Sequence, residues 1–299
     1  MEVSGNSGNI LDVFVHVDTY DIGVANKLEI FLCPINANCF DYRRMIDGLL
    51  ESVTDFALSR KLKESYGSKQ RHLEKAIREK FIEHRKNKGE LGEFLLYCFL
   101  EGHLNAPKIL SKLELKTSNK MYVNGSDGVH FLKLENNNYQ LIFGEAKTIK
   151  SLRDALNDAY ESIYQFKNEI NSSGDSKSGI SFEKGLITDN LEKETWTDTE
   201  KEFLTTIIYP SARSDFQVDD AFGLFIGFEI NIDEEKRTLN NQDFRIFVEN
   251  TVKTKIERQI AHIEELINKY KLMGHSFYIY VLPFTELDSA RQDIMEGLI

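Results

Sequence analysis

The sequence predicts an α/β protein whose central sheet is covered by helices on both faces. The first observation is a pair of apolar runs, 126–134 and 139–147, flanking Glu135-Asn136-Asn137-Asn138, which reads as a β-hairpin. Both faces of that hairpin are apolar: Val129, Phe131, Leu141 and Phe143 fall on one, Leu132, Leu134, Ile142 and Ala146 on the other. A half-exposed hairpin would alternate apolar with polar, so these strands belong inside a sheet that is buried twice. The second observation is a helical stripe on either side of the hairpin, and the third is a pair of later apolar strands separated by a long helix.

Taken in order, two strands are expected at 13–17 and 28–33, then a helix over 40–64 with Met45, Leu49, Val53, Phe56 and Ala57 at helical spacing. An amphipathic helix begins near Glu90 (Leu91, Phe94, Leu95, Cys98, Phe99) and ends near Gly102. Glu90 and Glu93 are three apart and share one of its faces, away from much of the apolar stripe. A strand over 108–117 precedes the hairpin. After it, Ser151 with Asp154 resembles a helix cap, followed by Leu152, Ala155, Leu156, Ala159, Ile163, Phe166 and Ile170 as a clean stripe. The segment 171–176 is a loop. A short helix capped by Thr197 with Glu200 follows, then a strand at 221–230, a helix over 247–271 stopped by Gly274, and a strand at 277–284.

The chain has 299 residues, 41% of them hydrophobic, enough for a sizeable core. No run is long enough to span a membrane and the first nine residues do not read as a signal peptide, so no membrane association is expected. Cys33, Cys39 and Cys98 form an odd set without paired spacing, which argues against disulfides and a zinc cage and fits a reducing cytoplasm. Net charge is −11, yet 60–88 holds eleven Lys/Arg against four Glu. Lys69, Arg71, Lys75, Arg78, Arg85, Lys86 and Lys88 in that stretch are candidates for holding a phosphate backbone; a solvated helix with Glu/Lys pairs explains them equally well.

Chemistry concentrates at one end of the hairpin. If Leu134 pairs with Asn138 around a three-residue turn, with an Asn in the left-handed conformation, Val129 faces Phe143 and Asp127 faces Glu145. Asp127, Glu145 and Lys147 then converge at the end of an apolar face, where charge is expensive unless a metal or substrate compensates it. A one-residue bulge would break that register. His130 falls on the other face and reads as a packing residue.

The order helix with Glu, strand, Asp strand, Glu-x-Lys strand, helix resembles the PD-(D/E)xK nuclease superfamily, through Gly92-Glu93, Ser126-Asp127-Gly128 and Gly144-Glu145-Ala146-Lys147, with Gln165 on the next helix. The segments GELGEFLLY, GSDGVHF and GEAK resemble more narrowly the HamA-type nuclease subunit of the Hachiman anti-phage system. The resemblance covers about 85–170. It implies a three-layer α/β/α core with a mixed sheet over 85–299, completed by the C-terminal helix and strand, and an N-terminal α/β region over 1–84 without assigned chemistry. It further implies a DNA-cleaving effector restrained or directed by a superfamily 2 helicase, HamB. Mg²⁺ or Mn²⁺ would be held by Asp127, Glu145, the Ala146 carbonyl and Glu93, with Glu90 as the less favoured alternative. Lys147 would orient the attacking hydroxide and Gln165 would position water or phosphate. Ser126 departs from the usual proline before the Asp.

Other classes find little support. There is no Gly-x4-Gly-Lys-Ser/Thr loop, so no nucleotide is expected to bind this chain, and the seven histidines show no metal-ligand spacing. A Gly-x-Ser-x-Gly elbow is absent too. A non-catalytic nucleic-acid or partner-binding subunit on a degenerate nuclease fold remains the alternative, although none of Asp127, Glu145 or Lys147 is missing.

Overall fold

The structure is a computed structural model that describes residues 2–4, 11–66, 74, 89–111, 125–195 and 197–298. Among these the chain runs β1 (Val15–Ile22), β2 (Asn26–Leu32), β3 (Ile35–Asn36), β4 (Cys39–Phe40), α1 (Tyr42–Ala57), α2 (Arg60–Tyr66), α3 (Glu90–Gly102), β5 (Lys108–Ser111), β6 (Gly128–Lys133) and β7 (Tyr139–Thr148). It continues with α4 (Leu152–Lys167), α5 (Ile180–Glu194), α6 (Asp198–Ile208), β8 (Val218–Glu229), α7 (Asp233–Thr238), α8 (Asn241–Lys269), β9 (Phe277–Phe284) and α9 (Leu287–Gly297).

Among the described residues the central sheet has seven strands in the order β1-β2-β9-β8-β7-β6-β5. It is mixed: β7, β8, β9 and β2 run parallel, whereas β1/β2, β5/β6 and β6/β7 are antiparallel. Helices flank it, as in a three-layer α/β/α fold. On one face α3 lies close against β7 and β8 because glycines remove side chains from the contact. A Cβ at Gly144 would sit 2.9 Å from Leu96 Cδ2, and one at Gly223 would sit 3.0 Å from Leu100. On the other face α4 packs through Phe166 on Phe143, ring centroids 5.4 Å apart, and through Tyr160 on Phe277, 5.2 Å apart.

Several sequence expectations change in detail. The helix near Glu90 is not amphipathic in place, since every residue from Glu90 to Gly102 is buried between the sheet and neighbouring helices. The helix expected over 40–64 breaks at Leu58, which takes an extended backbone. There the buried Lys108 ammonium donates to the carbonyls of Asp55 (2.9 Å), Leu58 (3.3 Å) and Phe56 (3.4 Å), satisfying the end of α1. Gly274 does not stop the long helix: α8 ends at Lys269, and Lys271 takes the left-handed turn (φ 54°). Two caps stand as expected, with Ser151 accepting from Asp154 N–H and Thr197 from Glu200 N–H. Among the described residues no helix is long and apolar enough to cross a membrane.

Candidate active site

The β6–β7 hairpin has the expected register over its apolar part, from Val129 opposite Phe143 to Lys133 opposite Tyr139. Leu134 N–H donates to the Asn138 carbonyl at 2.8 Å, and Asn136 and Asn137 both take left-handed backbones (φ 59° and 60°) in the turn. Beyond Val129 the register departs by one residue. Asp127 N–H donates to the Gly144 carbonyl, a bond absent from the unbroken register, in which Asp127 would face Glu145 as a non-hydrogen-bonded pair. Two glycines meet at the departure: a Cβ on Gly144 would lie 3.2 Å from the Gly128 carbonyl oxygen. The Ala146 N–H gives its hydrogen bond to Asp127 Oδ2, at 2.8 Å. Asp127 and Glu145 are therefore not the direct cross-strand pair that an unbroken ladder would make.

They are brought together nonetheless. β6 begins at Gly128 while β7 runs on to Thr148, and a pocket of about 330 Å³ opens where they part. Its wall includes Asp127, Glu145, Ala146 and Lys147, Glu93 from α3, and Gln165 with Ser162 from α4. Glu93 reaches it because its neighbour Gly92 nests on β7, where an added Cβ would stand 3.2 Å from Ala146 Cβ. Glu90 is buried and forms no part of this wall. Lys69, Arg71, Lys75, Arg78, Arg85, Lys86 and Lys88 lie outside the described residues.

Within the pocket, Lys147 Nζ stands 2.6 Å from Glu145 Oε1. Burial disfavours the ammonium, but the carboxylates of Glu145, Asp127 and Asp158 outweigh it and raise its pKa above the ordinary lysine value. Lys147 is thus an ammonium at neutral pH, suited to meeting negative charge rather than to acting as a base. Gln165 is half-buried and its amide donates to Glu161 at 3.2 Å. His130 is a packing residue: its Nδ1 bonds the Ala106 carbonyl at 2.8 Å, and burial lowers its pKa to about 4, keeping the ring neutral.

One contact was invisible in the sequence. Ser126, where the superfamily usually has proline, donates its hydroxyl to Glu183 Oε1 of α5 at 2.8 Å, and both side chains are buried. This bond ties α5 to the residue before Asp127.

The carboxylate donors in the wall are all oxygen, which suits a hard divalent cation such as Mg²⁺. They are not gathered for one: among the described residues no three His, Cys, Asp or Glu side chains form a metal-holding group. Asp127 instead takes the Ala146 N–H and Glu145 the Lys147 ammonium. A search of curated proteins finds no match to the chain. A scan against protein-family models matches HamA over residues 8–298.

Proposed function

We propose, from the premise that this chain belongs to the HamA family, that its pocket is the active site of a divalent-metal-dependent nuclease that cleaves DNA. Membership implies a role in anti-phage defence within the multi-subunit Hachiman system. The finer reading is carried by one observation: Asp127, just before β6, Glu145 and Lys147 on β7, Glu93 on α3 and Gln165 on α4 line a single pocket.

Asp127 and Glu145 would hold Mg²⁺ or Mn²⁺ only after turning from the Ala146 N–H and the Lys147 ammonium that they meet here, with Glu93 and the Ala146 carbonyl completing the oxygen donors. Such an ion, when bound, lowers the pKa of a coordinated water and screens phosphate charge. The remaining work belongs to the chain. Lys147, kept protonated by its acidic neighbours, offsets the negative charge that grows on the phosphoryl oxygens and orients the attacking oxygen. Gln165 offers an amide for water or phosphate. Ser126 and Glu183 hold the start of β6 so that Asp127 stays on the pocket wall. A superfamily 2 helicase partner would decide when DNA reaches the pocket.

A second reading, a non-catalytic nucleic-acid or partner-binding subunit, draws on the carboxylates being engaged by the chain itself. Cleavage assays of the purified chain in Mg²⁺ and in EDTA separate the two. EDTA-sensitive cutting supports the nuclease, and DNA binding without cutting under every metal condition supports the alternative.

A further inference from the structure

The loop between α4 and α5 brings one more charged residue to the pocket. After α4, Glu169 takes a left-handed backbone (φ 54°) and its carbonyl accepts the Lys177 N–H at 2.7 Å, closing the loop at its base. Ile170 bridges Ser176, and Asn171 Oδ1 accepts from Ser173 and Asp175 N–H, both at 2.9 Å, while Gly174 supplies a second positive φ (85°). The Glu169 carboxylate in turn accepts the Ser181 N–H in the first turn of α5, at 2.9 Å. A Cβ on Gly179 would collide with the Phe166 carbonyl oxygen at 2.2 Å, so the chain re-enters α5 hard against the end of α4. The result is a fixed base that sets Lys177 in the pocket wall beside Gln165.

Lys177 differs from the lysines around it. Lys147 is paired with Glu145, Lys184 with Asp220 at 2.9 Å, and Lys167 donates to the Lys271 carbonyl at 3.2 Å. The Lys177 ammonium makes no hydrogen bond or ion pair among the described residues, although the side chain is only half-exposed. A wall holding Asp127, Glu145 and Glu93 repels a polyanion, and among the described residues the other lysine in it, Lys147, is committed to Glu145.

We propose that Lys177 is the substrate-binding cation of this pocket, holding a backbone phosphate of the nucleic acid in the ground state. This rests on the nuclease reading above and adds the residue that anchors its substrate. A phosphodiester carries its charge before and during reaction alike. A lysine that meets it throughout contributes uniform binding, which moves KM and leaves kcat nearly unchanged.

The test compares the unsubstituted chain with Lys177→Gln and Lys177→Arg in steady-state cleavage of a labelled DNA oligonucleotide in Mg²⁺ over a series of salt concentrations. For Lys177→Gln, KM is expected to rise about tenfold, with kcat within about twofold. Its KM should also depend less steeply on salt, by roughly one phosphate contact. Lys177→Arg, which keeps the charge and the loop, should restore both. Cutting by the unsubstituted chain together with an unchanged KM and salt slope in Lys177→Gln overturns this inference alone, and so does a fall in kcat at constant KM. No cutting by the unsubstituted chain, either alone or with a co-purifying helicase and ATP, overturns the inference and the nuclease reading together.

Discussion

Two lysines, the buried Lys108 and the half-buried Lys147, sit in surroundings that differ in kind. Lys108 is 4% exposed, and its ammonium is spent on three carbonyls at the end of α1, while its N–H bonds Glu101 at 2.7 Å. The pocket beside it, about 300 Å³, holds further charges that are answered within the chain, Lys63 by Asp55 and Arg60 by Glu194. Lys147 is more exposed, with a side-chain exposure of 24%, and its neighbours are carboxylates rather than carbonyls. Burial of a charge therefore does not by itself mark a functional site. What distinguishes the second region is that several acids from different elements meet a cation at a pocket of similar size where a strand ladder has ended.

That contrast breaks most sharply under substitution. Asp127→Ala, Glu145→Ala and Lys147→Ala are expected to reduce Mg²⁺-dependent cleavage by about a thousandfold or more while leaving the thermal unfolding midpoint nearly unchanged. Undiminished cutting by any one of them would remove that residue from the site. Lys108→Met should do the reverse. It strips the end of α1 of its donor and is expected to destabilise the fold by about 3 kcal/mol, read by urea unfolding, with cleavage by the folded fraction retained. A wild-type midpoint for Lys108→Met would show that the carbonyls find other partners.

Gly144→Ala lies between the two regions. Its Cβ would press on Leu96 in the core and on the Gly128 carbonyl next to Asp127. A loss of about 2 kcal/mol together with weakened cleavage is expected, and loss of only one would show that the two regions relax independently. The smallest effect concerns His130 on the closed side. Its folded pKa, about 4, is below the ordinary 6.5, so the unfolded chain takes up its proton first as pH falls. Its contribution is complete above pH 6.5 and is lost as pH falls towards 4, about 1 kcal/mol of it between pH 6.5 and 5.5. His130→Gln should flatten that part of the acid limb relative to wild type. Parallel acid limbs would place the titration elsewhere.

The sequence made much of this legible where one physical signal dominated. Strands apolar on both faces around an Asn-rich turn allow one register, and the ladder from Val129 to Lys133 follows it. The Ser151 and Thr197 caps were legible because a short polar side chain before a helical stripe has few other uses. The one-residue departure at Gly128 and Gly144 was not, because two glycines leave no side-chain pattern to read. Helix α5 escaped for a related reason: its buried positions are Glu183, Ile187, Leu191 and Glu194, so half of its inward stripe is charged and looks solvent-facing. With α5 hidden, neither the Ser126–Glu183 bond nor the closed base that carries Lys177 to the pocket could be anticipated. That Asp127, Glu145 and Lys147 share one pocket was legible because Asp and Glu-x-Lys at matched distances from a turn are a short-range pattern; their partners across the fold are not.

The most direct measurement incubates single-stranded and duplex DNA with the purified chain, alone and with any helicase that co-purifies with it plus ATP, in Mg²⁺ or in EDTA, beside Glu145→Ala. Fragments that appear only in Mg²⁺ and vanish with Glu145→Ala are the expected result. The same fragments from Glu145→Ala, or intact DNA in every condition, would contradict it.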